Sequence, residues 1–514
     1  MTDSVLTIPH LALAAAEQWP NAEAVVEGDT RITFAELTEA MRRVAAGFIA
    51  AGLEKGERVA LWAENSVDWI VACLGLQAAG GVLVPLNTRY RAGEAADIVR
   101  RSGTSYAVAS SEFLGYRYAD QLREADAPGL RCVLELGTPG WDEFLADGEG
   151  HETEVEARLS ALKPGDLVDI LFTSGTTGAP KGVMATHEQN VRTARLWAKA
   201  TTIGEGDRFC ILWPFFHCSG YKAGWVVNLA VGATTLPLAQ LDVGELTDLV
   251  EKEKVTFLPG PPTLFQTLLA DPDFNRDKVS SLRVSITGAA SVPPQMITDM
   301  REVLGIPVVL TGYGLTEACG TLTMTAPSDP PEIVVRSCGK AIDGVELKLV
   351  NSDGAPVPTG EPGRIFARGY NVMLGYLDDP AATAEAIDGD GWLDTGDIGV
   401  MDAQGYLAIT DRSKDMFITG GFNCYPAEIE AMLLEHPAVG SVAVKGLPDD
   451  RMGEVCAAWI VPASGVQPDK AGIVAWSRDR MANFKVPRKI AFVEGLPRNA
   501  TGKVQKFLLP EIPD

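Results

Sequence analysis

The sequence predicts an α/β protein: a large N-terminal domain of layered sheets and helices, then a small C-terminal α+β domain. Three observations predict it. Helix-period and strand-like signals alternate from residue 8 to about residue 290. Five apolar runs in the central stretch stop abruptly in Gly, Pro or Ser. From residue 415 the pattern is strand, helix, strand, strand, helix, strand, enough for a unit with its own core.

The elements follow in order. FAELTEAMRRVAAGFIAAGL carries apolar residues at helical spacing and ends at a glycine, so residues 8–52 are helical at both ends. GERVALWA (56–63) is a strand. WIVACLGLQAAGGVLVPL (69–86) is the most apolar stretch, but Gln77, Gly80, Gly81 and Pro85 break it. It reads as a buried helix, a turn and a strand, and no transmembrane span is expected.

The central runs are DILFTSG, RFCILWPFFHCSG (208–220), VTFLPGPP (255–262), LRVSITGAA (282–290) and VVLTGYG (308–314). Ligands of open α/β sheets sit beyond the carboxyl ends of the strands. Five strand ends with polar loop chemistry therefore predict one shared cleft. Residues 340–411 are rich in turns and strands such as VELKLVNSDG and GRIFARG. In the last unit MFITGG precedes a helix over 426–434. VGSVAVKG and EVCAAWIVPA are strands joined by the turn LPDDRMG, and a helix near 470–483 and the strand KIAFVEG complete it. The boundary falls near residues 411–415, giving domains 1–411 and 412–514.

Composition excludes several classes. Apolar residues make up 46% and charged residues 22%, ordinary for a soluble globular chain of 514 residues. The formal net charge of −24 does not suit a nucleic-acid binder or an anionic membrane surface. The eight cysteines are scattered with no CxxC pair, and no HExxH occurs, so a zinc site is not expected. The first twenty residues hold no lysine or arginine, so a secretory leader is not expected and the cytoplasm is.

The chemistry starts at residues 173–182, TSGTTGAPKG. Glycine-freed backbone N–H groups, hydroxyl donors and a lysine together make an anion cradle. The order is not that of a Walker A loop, since Lys181 follows Gly178 by three and is itself followed by Gly182. GYGLTEACG (312–320) puts Tyr313, Thr316 and Glu317 just past a strand: an aromatic for a nucleobase, a carboxylate for Mg²⁺ on phosphates. GWLDTGDIG (391–399) holds Asp397 on a tight turn, suited to a ribose diol. DRSKD adds Arg412, and PRNATGK presents Lys503 on an exposed turn.

In order and spacing these motifs, together with DRSKDMFITGGFNCYPAEIE, resemble the adenylate-forming superfamily of acyl-CoA synthetases, nonribosomal adenylation domains and firefly luciferase. The resemblance covers essentially the whole chain. It implies an enzyme that joins a carboxylate to ATP, giving acyl-AMP and pyrophosphate. The small, mobile C-terminal domain then swings and a thiol takes the acyl group. It implies that Thr173, Ser174, Gly175, Thr176, Thr177, Gly178 and Lys181 hold phosphates. Gly288, Ala289 and Ala290 flank adenine, with Gly312 and a stacking Tyr313. Thr316 touches phosphate or acyl oxygen, Glu317 binds Mg²⁺, and Asp397 and Arg412 hold the ribose. Lys414 is the hinge residue and Lys503 the mobile lysine of adenylation.

The resemblance also bears on acceptor and acid. No carrier domain follows Lys503, so coenzyme A is the expected thiol. Gly420 and Gly421, in GGFNCYP, are candidate contacts for it. An acyl-AMP ligase that loads a carrier protein and a silent AMP-binding protein remain as alternatives. PFFHCSGYKAGW (214–225) is expected to line the acyl pocket, with His217 near the passage and Trp225, Gly312 and Cys319 shaping the wall. His217 has a plain alternative as a packing histidine. Lys222 is read first as pointing to solvent, and second as meeting a polar group on the acid. PFFH..GYKAG, PGPP and MLGYLDDPAATAEAIDGDGWLDTGDIG resemble ligases of actinobacterial steroid breakdown, which activate an indanedione propanoate. Fatty acids and aryl acids stay open beside it. A homodimer is the expected assembly.

Overall fold

The computed structural model describes residues 5–173, 180–271, 274–288, 294–412, 417–419, 422–424, 426–449, 452–481, 483–498 and 503–512. The helix Phe34–Ala50 starts at a capping box, in which Thr33 and Glu36 exchange side-chain and backbone hydrogen bonds. The helix Val67–Ala78 starts at Ser66, whose hydroxyl accepts the Trp69 N–H. Its length and buried residues confirm the helix, turn and strand reading of residues 69–86, with the strand at Val82–Pro85. No described helix is long and apolar enough to cross a membrane.

One sheet orders its strands as Gly375–Tyr376, Lys181–Thr186, Leu167–Thr173, Val82–Pro85, Arg58–Trp62, Tyr106–Ala109 and Cys132–Glu135. A second runs Thr30–Thr33, Glu23–Glu27, Thr234–Pro237 and Arg208–Ile211. Phe257 bridges Arg208–Ile211 to Val284–Thr287, which pairs in parallel with Val308–Tyr313. The stretch 255–262, read as a strand, makes only isolated bridges at Phe257 and Gly260. Pro259, Pro261 and Pro262 bring no backbone N–H to a ladder, so pairing cannot continue.

The main core lies between these two sheets. Trp69, Trp197, Phe209, Phe215, Tyr221, Trp225 and Phe257 fill it. Beyond residue 340, Val345–Val350, Pro362–Gly369, Leu393–Met401 and Leu407–Arg412 form an antiparallel sheet. From Phe417 on, the chain has a core cluster of its own, including Phe417, Ile429, Leu433, Val444, Ile460, Ile473 and Ile490. There Phe422–Cys424 is a hairpin partner the sequence did not show, and the helix expected over 470–483 stops at Arg478. The strands Val439–Asp449 and Gly453–Pro462 pair as far as Asp449 with Gly453, extending into the stretch read as a turn.

Candidate active site

The phosphate motif lies between two antiparallel strands, with Thr173 paired to Lys181 across the ladder. Ser174, Gly175, Thr176, Thr177 and Gly178 lie outside the described residues, as do Ala289, Ala290, Lys414, Gly420 and Gly421. The short strand Gly375–Tyr376 pairs with the Lys181–Thr186 strand and brings Tyr376 to the motif. The Lys181 ammonium sits 4.8 Å from the centre of the Tyr376 ring, within cation–π range. The Tyr376 hydroxyl donates to Glu317 Oε1 at 2.9 Å. Burial first, and the Glu317 charge second, hold that phenol protonated. So two separated candidates, Lys181 and Glu317, meet through one tyrosine that the sequence reading did not single out. No local signal marks it: Tyr376 stands in MLGYLDD as an ordinary strand aromatic.

The adenosine candidates converge from two further sheets. Tyr313 donates its hydroxyl to Asp397 Oδ2 at 2.6 Å. Asp397 is buried and pairs in register with Arg412 across an antiparallel ladder. Gly288 follows the strand Val284–Thr287, and a Cβ placed there would stand 3.5 Å from the Gly312 carbonyl. Gly288, Gly312 and Tyr313 at the end of one sheet thus meet Asp397 and the Arg412 backbone of another through the Tyr313–Asp397 bond. Beside them the Thr287 hydroxyl is buried with no partner among the described residues.

The acyl-side candidates lie on a different substructure. His217 caps a single turn, its Nδ1 accepting the Ser219 backbone N–H at 3.3 Å. Cys218 Sγ lies 3.6 Å from that Nδ1. Burial pulls the imidazole down and pushes the thiol up, but the mutual attraction outweighs both, so His217 moves up and Cys218 down. A Thr316 side-chain hydrogen bond adds to the fall at Cys218. Cys218 also abuts Gly320, where an added Cβ would lie 3.0 Å from Sγ. His217, Cys218 and Thr316 are therefore one cluster.

A π-helical turn, Tyr221–Trp225, follows, kinked at Gly224, whose backbone is not helical. Trp225 is spent on an aromatic cluster with Trp69 and Tyr221. Lys222 corrects the sequence reading: it does not point to solvent but is fully buried. Its Nζ donates to Asp169 Oδ1 at 2.9 Å, and Asp169 Oδ2 takes the Asn190 amide. Burial opposes the Lys222 charge, yet Asp169 outweighs it and raises the lysine pKa. Asp169 stands on the same strand as Thr173, so the acyl side and the phosphate motif share one backbone element. Cys319 is buried nearby, its thiol pushed up to about 11 by burial.

Lys503 lies in the C-terminal unit, next to a bridge between Arg498 and Val504. A family model described as AMP-binding enzyme matches residues 13–377, and one described as AMP-binding enzyme C-terminal domain matches 428–503. The chain belongs to the AMP-binding enzymes. This AMP-binding enzyme is 44% identical over 523 residues to the 3-[(3aS,4S,7aS)-7a-methyl-1,5-dioxo-octahydro-1H-inden-4-yl]propanoyl:CoA ligase of Rhodococcus jostii (strain RHA1), covering 99% of both chains. It is 45% identical over 516 residues to the Mycobacterium tuberculosis (strain ATCC 25618 / H37Rv) ligase of the same description, covering all of both. The medium-chain acyl-CoA ligase ACSF2 of Mus musculus is 34% identical, over 99% of this chain and 88% of that protein.

Among solved structures, the anthranilate CoA ligase AuaEII in complex with anthranoyl-AMP superposes with a TM-score of 0.87 at 27% identity, over 99% of this chain and 98% of that one. ATP-bound MatB from Rhodopseudomonas palustris gives 0.85 at 30% identity, over 97% and 98%. The superfamily resemblance and the two-domain α/β fold expected from the sequence both hold. So does the likeness to the indanedione-propanoate ligases. This AMP-binding enzyme is an acyl-CoA ligase that adenylates a carboxylic acid with ATP and passes the acyl group to coenzyme A.

Proposed function

We propose that the acid is the bicyclic dione propanoate named in the two full-length relatives. The observation that carries this is their 44% and 45% identity over practically the whole of each chain. The fatty-acid reading draws on the more distant medium-chain ligase. A buried ammonium beside the acyl-side cluster favours an acid with a polar ring over a plain hydrocarbon tail.

In the first step the substrate carboxylate attacks the α-phosphorus of ATP and pyrophosphate leaves. Two anions must approach, so preplaced charge is the main catalytic term. Thr173 to Gly178 and Lys181 hold the phosphates. Gly288, Ala289, Ala290 and Gly312 border adenine, Tyr313 stacks on it, and Asp397 with Arg412 takes the ribose. Glu317 fits a Mg²⁺ site: the ion binds through one or two carboxylates plus substrate phosphates. Tyr376 orients one Glu317 oxygen, while Oε2 has no hydrogen bond from a described residue. Bound there, Mg²⁺ would neutralise phosphate charge. Lys503 supplies a cation to the same step, and Thr316 contacts the phosphate or acyl oxygen.

In the second step the thiol of coenzyme A attacks the acyl carbonyl and AMP leaves. For this we place the hinge at Lys414, between domains 1–411 and 412–514, and thiol contacts at Gly420 and Gly421. His217, Lys222, Gly312 and Cys319 border the acyl group. We further propose a cytoplasmic homodimer, which solution mass and fractionation test.

The direct test is thioester formation by mass spectrometry with ATP, Mg²⁺ and coenzyme A, across the dione propanoate, octanoate, palmitate, coumarate and benzoate. A dominant thioester of the dione acid is expected. A dominant fatty-acyl or aryl thioester refutes the substrate. Pyrophosphate without any thioester points instead to a carrier protein as acceptor.

A further inference from the structure

Hydrogen-bond bookkeeping around Lys222 separates its two sides. Asp169 is fully buried and both of its oxygens are taken, one by Lys222 at 2.9 Å and one by Asn190. Lys222 has three N–H donors, and Asp169 is the one hydrogen-bond partner it has among the described residues. The carboxylate is satisfied and the ammonium is not. A fully buried cation with unused donors is costly unless an acceptor arrives from elsewhere.

The surroundings say what kind of acceptor fits. The lysine is held on the π-helical turn two residues beyond Gly220, and its charge acts on His217, Cys218 and Cys319. Cys218 in turn bonds Thr316. The spare donors therefore lie in the acyl-side cluster, away from the Tyr376–Glu317 and Tyr313–Asp397 pairs of the nucleotide. A substrate ammonium would be repelled there. A second carboxylate would leave three charges in a core. A hydrocarbon would leave the donors unmet. A neutral carbonyl oxygen, acceptor only, meets the requirement.

We propose that Lys222 is the specificity-determining residue of the acyl site, donating a hydrogen bond to a ring ketone of the acid while Asp169 and Asn190 hold it in position. This rests on the substrate reading above and assigns the group that reads the ketone. It makes this ligase selective by polarity as well as by shape: a site built to bond an oxygen discriminates strongly against the analogue without it.

The experiment compares kcat/KM for the dione propanoate with that for its analogue in which both ring ketones are methylenes. It is run on the full-length wild type and on Lys222→Met combined with Asp169→Asn. The double change removes both charges together and keeps an acceptor for Asn190, avoiding an orphaned buried carboxylate. In the wild type the dione is favoured by about 10- to 100-fold, the range of a hydrogen bond to a charged group. In the double variant that ratio collapses towards one, mostly through KM.

If the variant lowers both acids in parallel and keeps the ratio, the pair is structural and the proposal fails. If the variant does not fold, the wild-type ratio still decides, because a ratio near one overturns the proposal unaided. If the wild type prefers octanoate to the dione, the substrate reading falls, and the ketone role of Lys222 falls with it. A wild type that takes the dione yet ignores the loss of both ketones sinks the Lys222 role alone.

Discussion

The proposed nucleotide side and the proposed acyl side are built on different principles. On the nucleotide side, polar residues from separate segments pair one to one, Tyr376 with Glu317 and Tyr313 with Asp397. On the acyl side an ion pair is sunk into the aromatic core, with both side chains practically without exposure. In the proposed function the first arrangement meets a ligand that brings its own charges and is exchanged every turnover. The second is a fixed cost, which in our proposal a ring ketone of the acyl group offsets.

The comparison makes graded predictions. The largest effect belongs to Lys503→Ala, which should lower acyl-AMP formation by about 10²–10³-fold. It should spare thioester formation from preformed acyl-AMP, measured by rapid quench. Equal loss in both half-reactions would remove Lys503 from the nucleotide side of the account.

Next is Asp397→Ala, which strips Tyr313 of its acceptor and the ribose of its carboxylate. Loss of a charged hydrogen-bonding group costs about 1.5–3 kcal/mol, so KM for ATP should rise about 10- to 100-fold. KM for the acid should move little, and a matching rise there would mean that the two sides are not separable.

A third prediction contrasts Lys222, kept charged, with a buried group kept neutral. His187 is fully buried, accepts the Ile8 N–H, and has its pKa lowered to about 3 by burial, against the opposing pull of Asp166 and with help from His10 and Lys55. Its folded pKa lies below the unfolded value, so the unfolded chain binds the extra proton. Stability from this group is complete above pH 6.5 and declines as pH falls from there towards 3, by up to about 1.4 kcal/mol per pH unit. Urea unfolding at pH 7 and pH 5 should show the drop, and His187→Gln should flatten it. An equal drop in His187→Gln would assign the pH dependence to other groups.

The smallest effect is Tyr376→Phe. The ring under Lys181 remains and only the hydroxyl to Glu317 goes. A neutral donor to a carboxylate is worth about 1–2 kcal/mol, so KM for ATP should rise about 5- to 30-fold. An unchanged KM would leave Tyr376 as a packing residue.

The same contrast explains what was legible in the sequence. The nucleotide side uses contiguous loops at strand ends, so TSGTTGAPKG, GYGLTE and GWLDTGD each display their chemistry in one short string. Thr173 pairs with Lys181 across one ladder, Tyr313 bonds Asp397, and Asp397 pairs in register with Arg412. Tyr376 was missed because its partners come from two other segments. Lys222 was read as solvent-facing because a lysine in an apolar run ordinarily stretches to the surface. Its partner Asp169 is 53 residues away, the one charged residue in the otherwise apolar run LVDILF. The prolines of 259–262 promised a strand end and delivered bridges instead of a strand. Buried pairs between distant segments leave no local pattern, and that is where the acyl side keeps its information.

The central claim, that a common nucleotide site is coupled to a polar-reading acyl site, is tested most directly by competition. Equimolar dione propanoate and octanoate are offered to the wild-type enzyme in one reaction with ATP, Mg²⁺ and coenzyme A, and the two thioesters are quantified together. The dione thioester should exceed octanoyl-CoA by at least about 10-fold, the lower bound for one charged hydrogen bond. Octanoyl-CoA in equal or greater amount would contradict it.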